Sequence, residues 1–195
     1  MAWQRILFAA SEIFPLAKTG GLADVSAALP AALARLGTEV QLVMPGYEQA
    51  LDLADRPHVT ATLDDVLGFE GVRIITARTP DTGVPISLID IPELYCDGGG
   101  IYQNADGSDR ANNAIRFGVL SQAAAQLAAG RGGSTWRPSI VHCNDWHTGL
   151  IPLMLREKCG PRAPATVFTV HNMMFQGLFP WEGQTALRLP TDDGV

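Results

Sequence analysis

The sequence predicts an α/β protein: a mostly parallel, doubly wound sheet with a β-hairpin at its edge. Three observations carry that reading. Strand-length apolar runs recur along the 195 residues, most of them apolar at consecutive positions, which suits strands covered on both faces. Segments of helical period lie between them. One pair of runs is separated only by a turn signal.

The elements follow in order. RILFAA (5–10) is the first strand. LADVSAALPAALARLG (22–37) places Leu22, Val25, Leu29, Leu33 and Leu36 three and four apart, predicting a helix buried on that stripe. Gly37 ends it, and Pro30 inside it predicts a kink. EVQLVM (39–44) is the next strand. VRIITA (72–77) and PISLIDI (85–91) flank the turn residues DTG and form the expected edge hairpin. CDGGGIYQNADGSD (96–109) is too polar for a core and reads as a functional loop. RANNAIRFGVLSQAAAQLAAG (110–130) is a long helix, and RGGSTWRPS (131–139) an irregular connector. SIVHCN (139–144), a helix over 148–159 and ATVFTV (165–170) complete the alternation, which implies right-handed crossovers. The closing LRLPTDDGV carries no element signal, so the sequence is expected to stop inside a fold.

Composition narrows the function. Lys and Arg total 14 against 20 Asp and Glu, a net charge of −6, so no basic field gathers nucleic-acid phosphates. Cys96, Cys143 and Cys159 are odd in number and form no CxxC, which points to thiols in a reducing compartment. Arg5 and the apolar residues after it imitate a signal peptide, but Glu12 interrupts the run. No apolar run reaches the ~20 residues of a membrane span. The chain is therefore expected in the cytoplasm.

In open α/β sheets, ligands bind beyond the carboxyl ends of the strands. Residues 11–25, 144–149 and 171–177 emerge there. In Lys18-Thr19-Gly20-Gly21, the glycine pair opens a helix, so an anion could approach its amides, with the helix dipole and Lys18 adding attraction. The alternative is a surface lysine before a turn. Asp24, in the first turn, either complements the dipole or serves a ligand. Asp145 either caps the 148–159 helix or accepts sugar hydroxyls. His171 and Asn172 end a strand at the same edge. His142 reads as a satisfied core histidine and His58 as surface. The His142–His147 spacing lacks a third ligand, so no metal is expected.

KTGGLADV (18–25), HCNDWHTGL (142–150) and HNMMFQG (171–177), in that order, resemble the bacterial glycogen synthase and starch synthase family. ILFAASEIFPLAKTGGLADVSAALPAAL and the PGY at 45–47 match it too, and the resemblance covers essentially the whole chain. It implies a GT-B glycosyltransferase, with two Rossmann-like domains facing across a cleft. The family transfers glucose from ADP-glucose to the non-reducing end of an α-1,4-glucan such as glycogen, retaining configuration, without metal or other cofactor. By motif position, Lys18 and the Gly20–Gly21 backbone would bind the diphosphate, and Asp24 would line the same loop. Asp145 and His171 would act at the glucosyl unit, with Asn172 and Tyr102 of GIYQN beside them. Residues 1–195 would then be a truncated N-terminal, acceptor-side Rossmann-like domain. The C-terminal nucleotide-binding domain would then be absent, so the fragment is expected to be inactive alone. Competing readings are a GT-B enzyme using UDP-glucose and a non-catalytic glucan-binding module. An NAD-dependent oxidoreductase is excluded, because no GxGxxG follows the first strand.

Overall fold

The computed structural model describes residues 4–180 and 185–189. Seven strands form one mixed sheet: β1 (Arg5–Ala9), β2 (Glu39–Pro45), β3 (Asp55–Val66), β4 (Phe69–Arg78), β5 (Pro85–Asp90), β6 (Ile140–Asn144) and β7 (Ala165–Thr169). Their order is β3-β4-β5-β2-β1-β6-β7. The strands from β5 to β7 run parallel, with Ile6 opposite both Val40 and Ile140. β3, β4 and β5 are antiparallel. The helices are α1 (Gly21–Arg35), α2 (Glu48–Leu53), α3 (Pro92–Tyr95), α4 (Asn113–Ala128) and α5 (Ile151–Cys159). α1 packs on β2, and α4 packs on α5 and β3.

The central strands are built as their runs predict. Residues 6–10 are buried at every position, as are 42–45, so these strands are covered on both faces. Cys143 lies in this interior as a small apolar residue, its thiol pushed up to about 12 by burial.

Three expectations are corrected. The β4–β5 hairpin forms, but it is not at the edge, because β3 pairs with β4 outside it. β3 is mostly exposed, and only Leu63 and Val66 are buried, so it carries little apolar signal. Its turn is legible afterwards: Leu67 and Gly68 have φ of 53° and 91°, and Val66 opposes Phe69, a two-residue hairpin loop of the I′ kind. Second, α1 is buried on another stripe. Ala23, Ala27, Pro30 and Ala31 face inward, whereas Val25 and Leu29 are exposed and Leu36 is 83% exposed. Small side chains let the helix lie close to β2; the period was right and the phase was not. α1 continues from Gly21 to Arg35 with Pro30 buried inside it. It closes as expected at Gly37 (φ 88°), whose amide donates to the Ala34 carbonyl while Thr38 donates to Leu33, a Schellman closure. Third, the described residues leave β7 uncovered, and Val167 and Phe168 are 45% and 48% exposed. Most of the closing LRLPTDDGV lies outside the described residues.

Candidate functional site at the carboxyl ends of β1, β6 and β7

Asn144, at the end of β6, ties three strands together. Its side-chain amide donates to the Ala9 carbonyl at the end of β1 (3.0 Å), and its Oδ1 pairs with His171 Nε2 (3.0 Å). The segments after β1, β6 and β7 thus meet at one sheet end, as the topology demands.

Asp145 follows at φ 56°, ψ 177°, backbone that an L-residue adopts only when its surroundings hold it there. Its amide donates to the Thr169 carbonyl, and buried Thr148 returns its hydroxyl to the carbonyls of Asn144 and Asp145. The carboxylate does not cap the following turn. Instead Oδ1 accepts the amides of His171 (2.6 Å) and Asn172 (3.4 Å). The capping alternative is thus replaced: Asp145 locks the exit of β7 onto the exit of β6. Among the described residues no donor reaches its Oδ2. Asn172 is exposed, and its side-chain oxygen accepts the Met174 amide within its own loop.

The loop after β1 holds the second group. Lys18 is exposed and bonds both oxygens of Asp24 (2.6 and 2.8 Å). The two residues that the sequence analysis treated separately are therefore one ion pair at the N-terminus of α1. Gly20 is the N-cap, and no side chain caps the helix. Neither Gly20 nor Gly21 has a positive φ, and a Cβ on either would meet nothing within 4 Å. The fold does not require glycine there. What glycine leaves is open backbone at a positive helix end, with the Gly20 amide leaning on Glu12 Oε2 at 3.4 Å and the Gly21 amide without a side-chain partner among the described residues.

Tyr102 joins the two groups. Its ring stacks on His147 (4.8 Å between centroids), and its hydroxyl meets Ser11 Oγ (2.7 Å) and Glu12 Oε1 (3.2 Å). Burial, with Tyr47 and Glu12 nearby, raises the phenol well above its usual range, so it stays a proton donor. Its loop is pinned by Asn113 Nδ2 on the Tyr102 carbonyl (2.8 Å) and by fully buried Arg116 on the Ile101 carbonyl (2.7 Å).

The remaining histidines differ from these. His142 is satisfied, as expected, pairing with Thr169 Oγ1 (2.8 Å) and meeting Phe8 edge-on. His147, to which the sequence analysis gave no role, is buried among Tyr102, Trp146 and Phe117, which depresses its pKa to about 3. Its Nδ1 has no partner among the described residues. With Asp145, His147 lines an apolar cavity of about 630 Å³, walled also by Phe117, Trp146, Phe168 and Phe175. Sequence reasoning missed Ser11, Glu12, Asn144 and Arg116. Glu12 alone left a signal, as a carboxylate breaking an apolar run.

The architecture is a Rossmann-like α/β domain with its polar residues gathered at the strand ends. Residues 5–194 match the family model of the starch synthase catalytic domain, and the chain belongs to that family. It is 52% identical over 193 residues to the glycogen synthase of Burkholderia thailandensis, covering 97% of this chain and 36% of that protein. It is 44% identical over 189 residues to the glycogen synthase of Paramagnetospirillum magneticum, covering 96% and 38%. Among solved structures, the catalytic domain of starch synthase IV from Arabidopsis thaliana, bound to ADP and acarbose, superposes with a TM-score of 0.68 at 28% identity. That match covers 90% of this chain and 35% of that one. The chain therefore spans little more than a third of the relatives it matches. Among the described residues, no helix is long and apolar enough to cross a membrane.

Proposed function

We propose that this chain forms the N-terminal, acceptor-side half of a retaining GT-B glucosyltransferase. It would move glucose from ADP-glucose to the non-reducing end of an α-1,4-glucan such as glycogen, in the cytoplasm. One observation carries this reading. A lysine and uncapped helix amides stand at the end of β1, joined through Tyr102 and His147 to a carboxylate locked at the end of β6.

The two groups suit the two ends of the broken bond. As the glycosidic C–O bond to the diphosphate breaks, negative charge grows on the leaving ADP. Lys18 and the Gly21 amide would stabilise it there, Lys18 exchanging Asp24 for phosphate, while the Gly20 amide, which leans on Glu12, holds the loop in place. Positive charge grows on the glucosyl ring. The Asp145 carboxylate and the His171 carbonyl would stabilise that charge, and Asp24 and Asn172 would complete the polar lining. Tyr102 contributes its ring and its place in the network, since its hydroxyl is engaged by Ser11 and Glu12.

The test is a hybrid in which residues 1–195 replace the matching segment of the Burkholderia thailandensis glycogen synthase. It is assayed by radiolabel transfer from ADP-glucose to glycogen, beside the 195-residue chain alone. The hybrid is expected to transfer glucose and the chain alone is not. In the hybrid, Lys18→Ala lowers kcat/KM for ADP-glucose roughly ten- to a hundred-fold while the glucan KM holds, as loss of a charge-assisted phosphate contact requires. Unchanged donor kinetics would return Lys18 to a surface lysine that does nothing beyond pairing with Asp24.

A further inference from the structure

Glu12 is 2% exposed, and no lysine, arginine or histidine among the described residues forms an ion pair with it. A buried carboxylate without a counter-ion is costly and persists only where donors replace its water. Here those donors come from two segments far apart in the chain. Oε2 accepts the amides of Thr19 (2.5 Å) and Gly20 (3.4 Å), and both oxygens receive the Thr19 hydroxyl (3.2 and 3.1 Å). Oε1 also accepts the hydroxyl of Tyr102, 90 residues away (3.2 Å). The α1 N-terminus beside it supplies further positive potential. Tyr47 steadies the same corner through the Ser11 carbonyl (3.0 Å).

Two features set this contact apart from an ordinary loop staple. The amides Glu12 holds belong to the residues directly after Lys18, so its position fixes where Lys18 and the Gly20–Gly21 amides present themselves. The hydroxyl it holds belongs to the ring that stacks on His147, two residues from Asp145. A neutral side chain of the same length could fill the space. Only an acceptor-only, charged group can take all four donors at once.

We infer that Glu12 is a positioning residue for the diphosphate loop. Its buried carboxylate holds residues 18–20 in register with Tyr102, and donor use depends on that charge. The inference rests on the reading of the site as an ADP-glucose site. Glu12 contacts Thr19, Gly20 and Tyr102, so its removal is expected to act through the donor loop and not on the glucan.

The experiment combines kinetics of the hybrid enzyme with amide exchange in the 195-residue chain. Glu12→Gln keeps the shape and removes the charge. In the hybrid it is expected to lower kcat/KM for ADP-glucose about tenfold, with the glucan KM unchanged, since charge-assisted hydrogen bonds are roughly twice as strong as neutral ones. In the chain, exchange of the Thr19 and Gly20 amides accelerates at least about tenfold while amides of β1 and β2 stay protected. Thr19→Val, an exposed change that removes one donor and cannot empty the core, is expected to lower donor kcat/KM about two- to threefold. It decides the matter if the Gln variant does not fold. Unaltered donor kinetics in a folded Glu12→Gln enzyme overturns the inference, as does a fall in donor and glucan kinetics together. If the wild-type hybrid transfers no glucose, the glucosyltransferase reading fails instead. Amide exchange then judges the loop claim alone, and slow exchange at Thr19 and Gly20 without the Glu12 charge overturns it.

Discussion

β1 and β7 flank the same strand, run parallel to it, and are written in the same apolar vocabulary, RILFA and ATVFT. β1 is buried at every position after Arg5, whereas β7 is exposed at four of its five residues. The contrast continues past the strands. After β1 the chain turns into a closed polar network at Glu12. After β7 it runs through Met173, Met174, Phe175 and Leu178, each at least 66% exposed. A consecutive apolar run records the burial a strand is composed for. Whether cover arrives depends on elements elsewhere, and the described residues bring it to β1 alone. An apolar surface of this kind marks a place where something else packs.

The largest effect expected tests that contrast directly. Phe8 is fully buried, with its ring 4.7 Å from His142, so Phe8→Ala should cost about 3–5 kcal/mol, a large part of the stability of a domain this size. Phe168, on β7, is half exposed, so Phe168→Ala should cost less than about 1 kcal/mol. Urea unfolding of both variants measures the difference. Equal costs would mean that β7 is as well covered in solution as β1, and the comparison would break.

A smaller effect concerns the bond that crosses between the two halves. Asp145 holds the His171 and Asn172 amides, so together with the Asn144–His171 contact it fixes the exposed β7 exit to the buried sheet. Asp145→Asn keeps the size and loses the charge. In the hybrid enzyme kcat should fall about a hundredfold or more, as when one preorganised electrostatic partner is removed from an active site. Thermal melts must accompany the assay. A wild-type kcat in a stable variant would leave Asp145 as a structural tie and nothing else.

These contrasts also show what the sequence could and could not reveal. Six strands and the three convergent loops were legible because consecutive apolar runs and their polar endings are local patterns. β3 was not, since a strand that buries only Leu63 and Val66 lacks the apolar signal, and its I′ turn, Leu67-Gly68, lacks the usual Asn or Asp. The buried face of α1 was misplaced because hydrophobicity favours leucine, while close packing on β2 favours alanine. In the site, residue types and strand-end positions were readable for Lys18, Asp145 and His171. The pairings were not. Lys18 with Asp24, Glu12 with Tyr102 and Asn144 with His171 are distances, and spacing along the chain carries no distance between residues 12 and 102.

The smallest effect sharpens the comparison by a proton. His147 lies on the buried side, stacked between Tyr102 and Trp146, with an unpartnered Nδ1 and a pKa depressed from 6.5 to about 3. Burial penalises its charged form, so the folded state binds fewer protons than the unfolded chain between those two values. The stability this group contributes is fully present above the unfolded pKa and is lost as pH falls below it. Between pH 7 and pH 5 the loss from His147 reaches about 2 kcal/mol at most, from the linkage relation with those two pKa values. Asp65, Asp97 and Asp106 are shifted down by their hydrogen-bond partners, so the stability they contribute is lost as pH falls through the ordinary carboxylate range toward their lowered values, mostly below pH 5. His142 is also depressed, chiefly by burial, and shares the window, so the wild-type slope alone cannot be assigned. His147→Phe keeps the stack, removes the unpartnered nitrogen and removes the titration. Measured by urea unfolding at pH 7 and pH 5, the wild type should therefore lose up to about 2 kcal/mol more than the variant, so that the stability difference shifts in the variant's favour as the pH falls. Equal losses would mean that water or a partner reaches the ring and that His147 is not sealed inside the buried half.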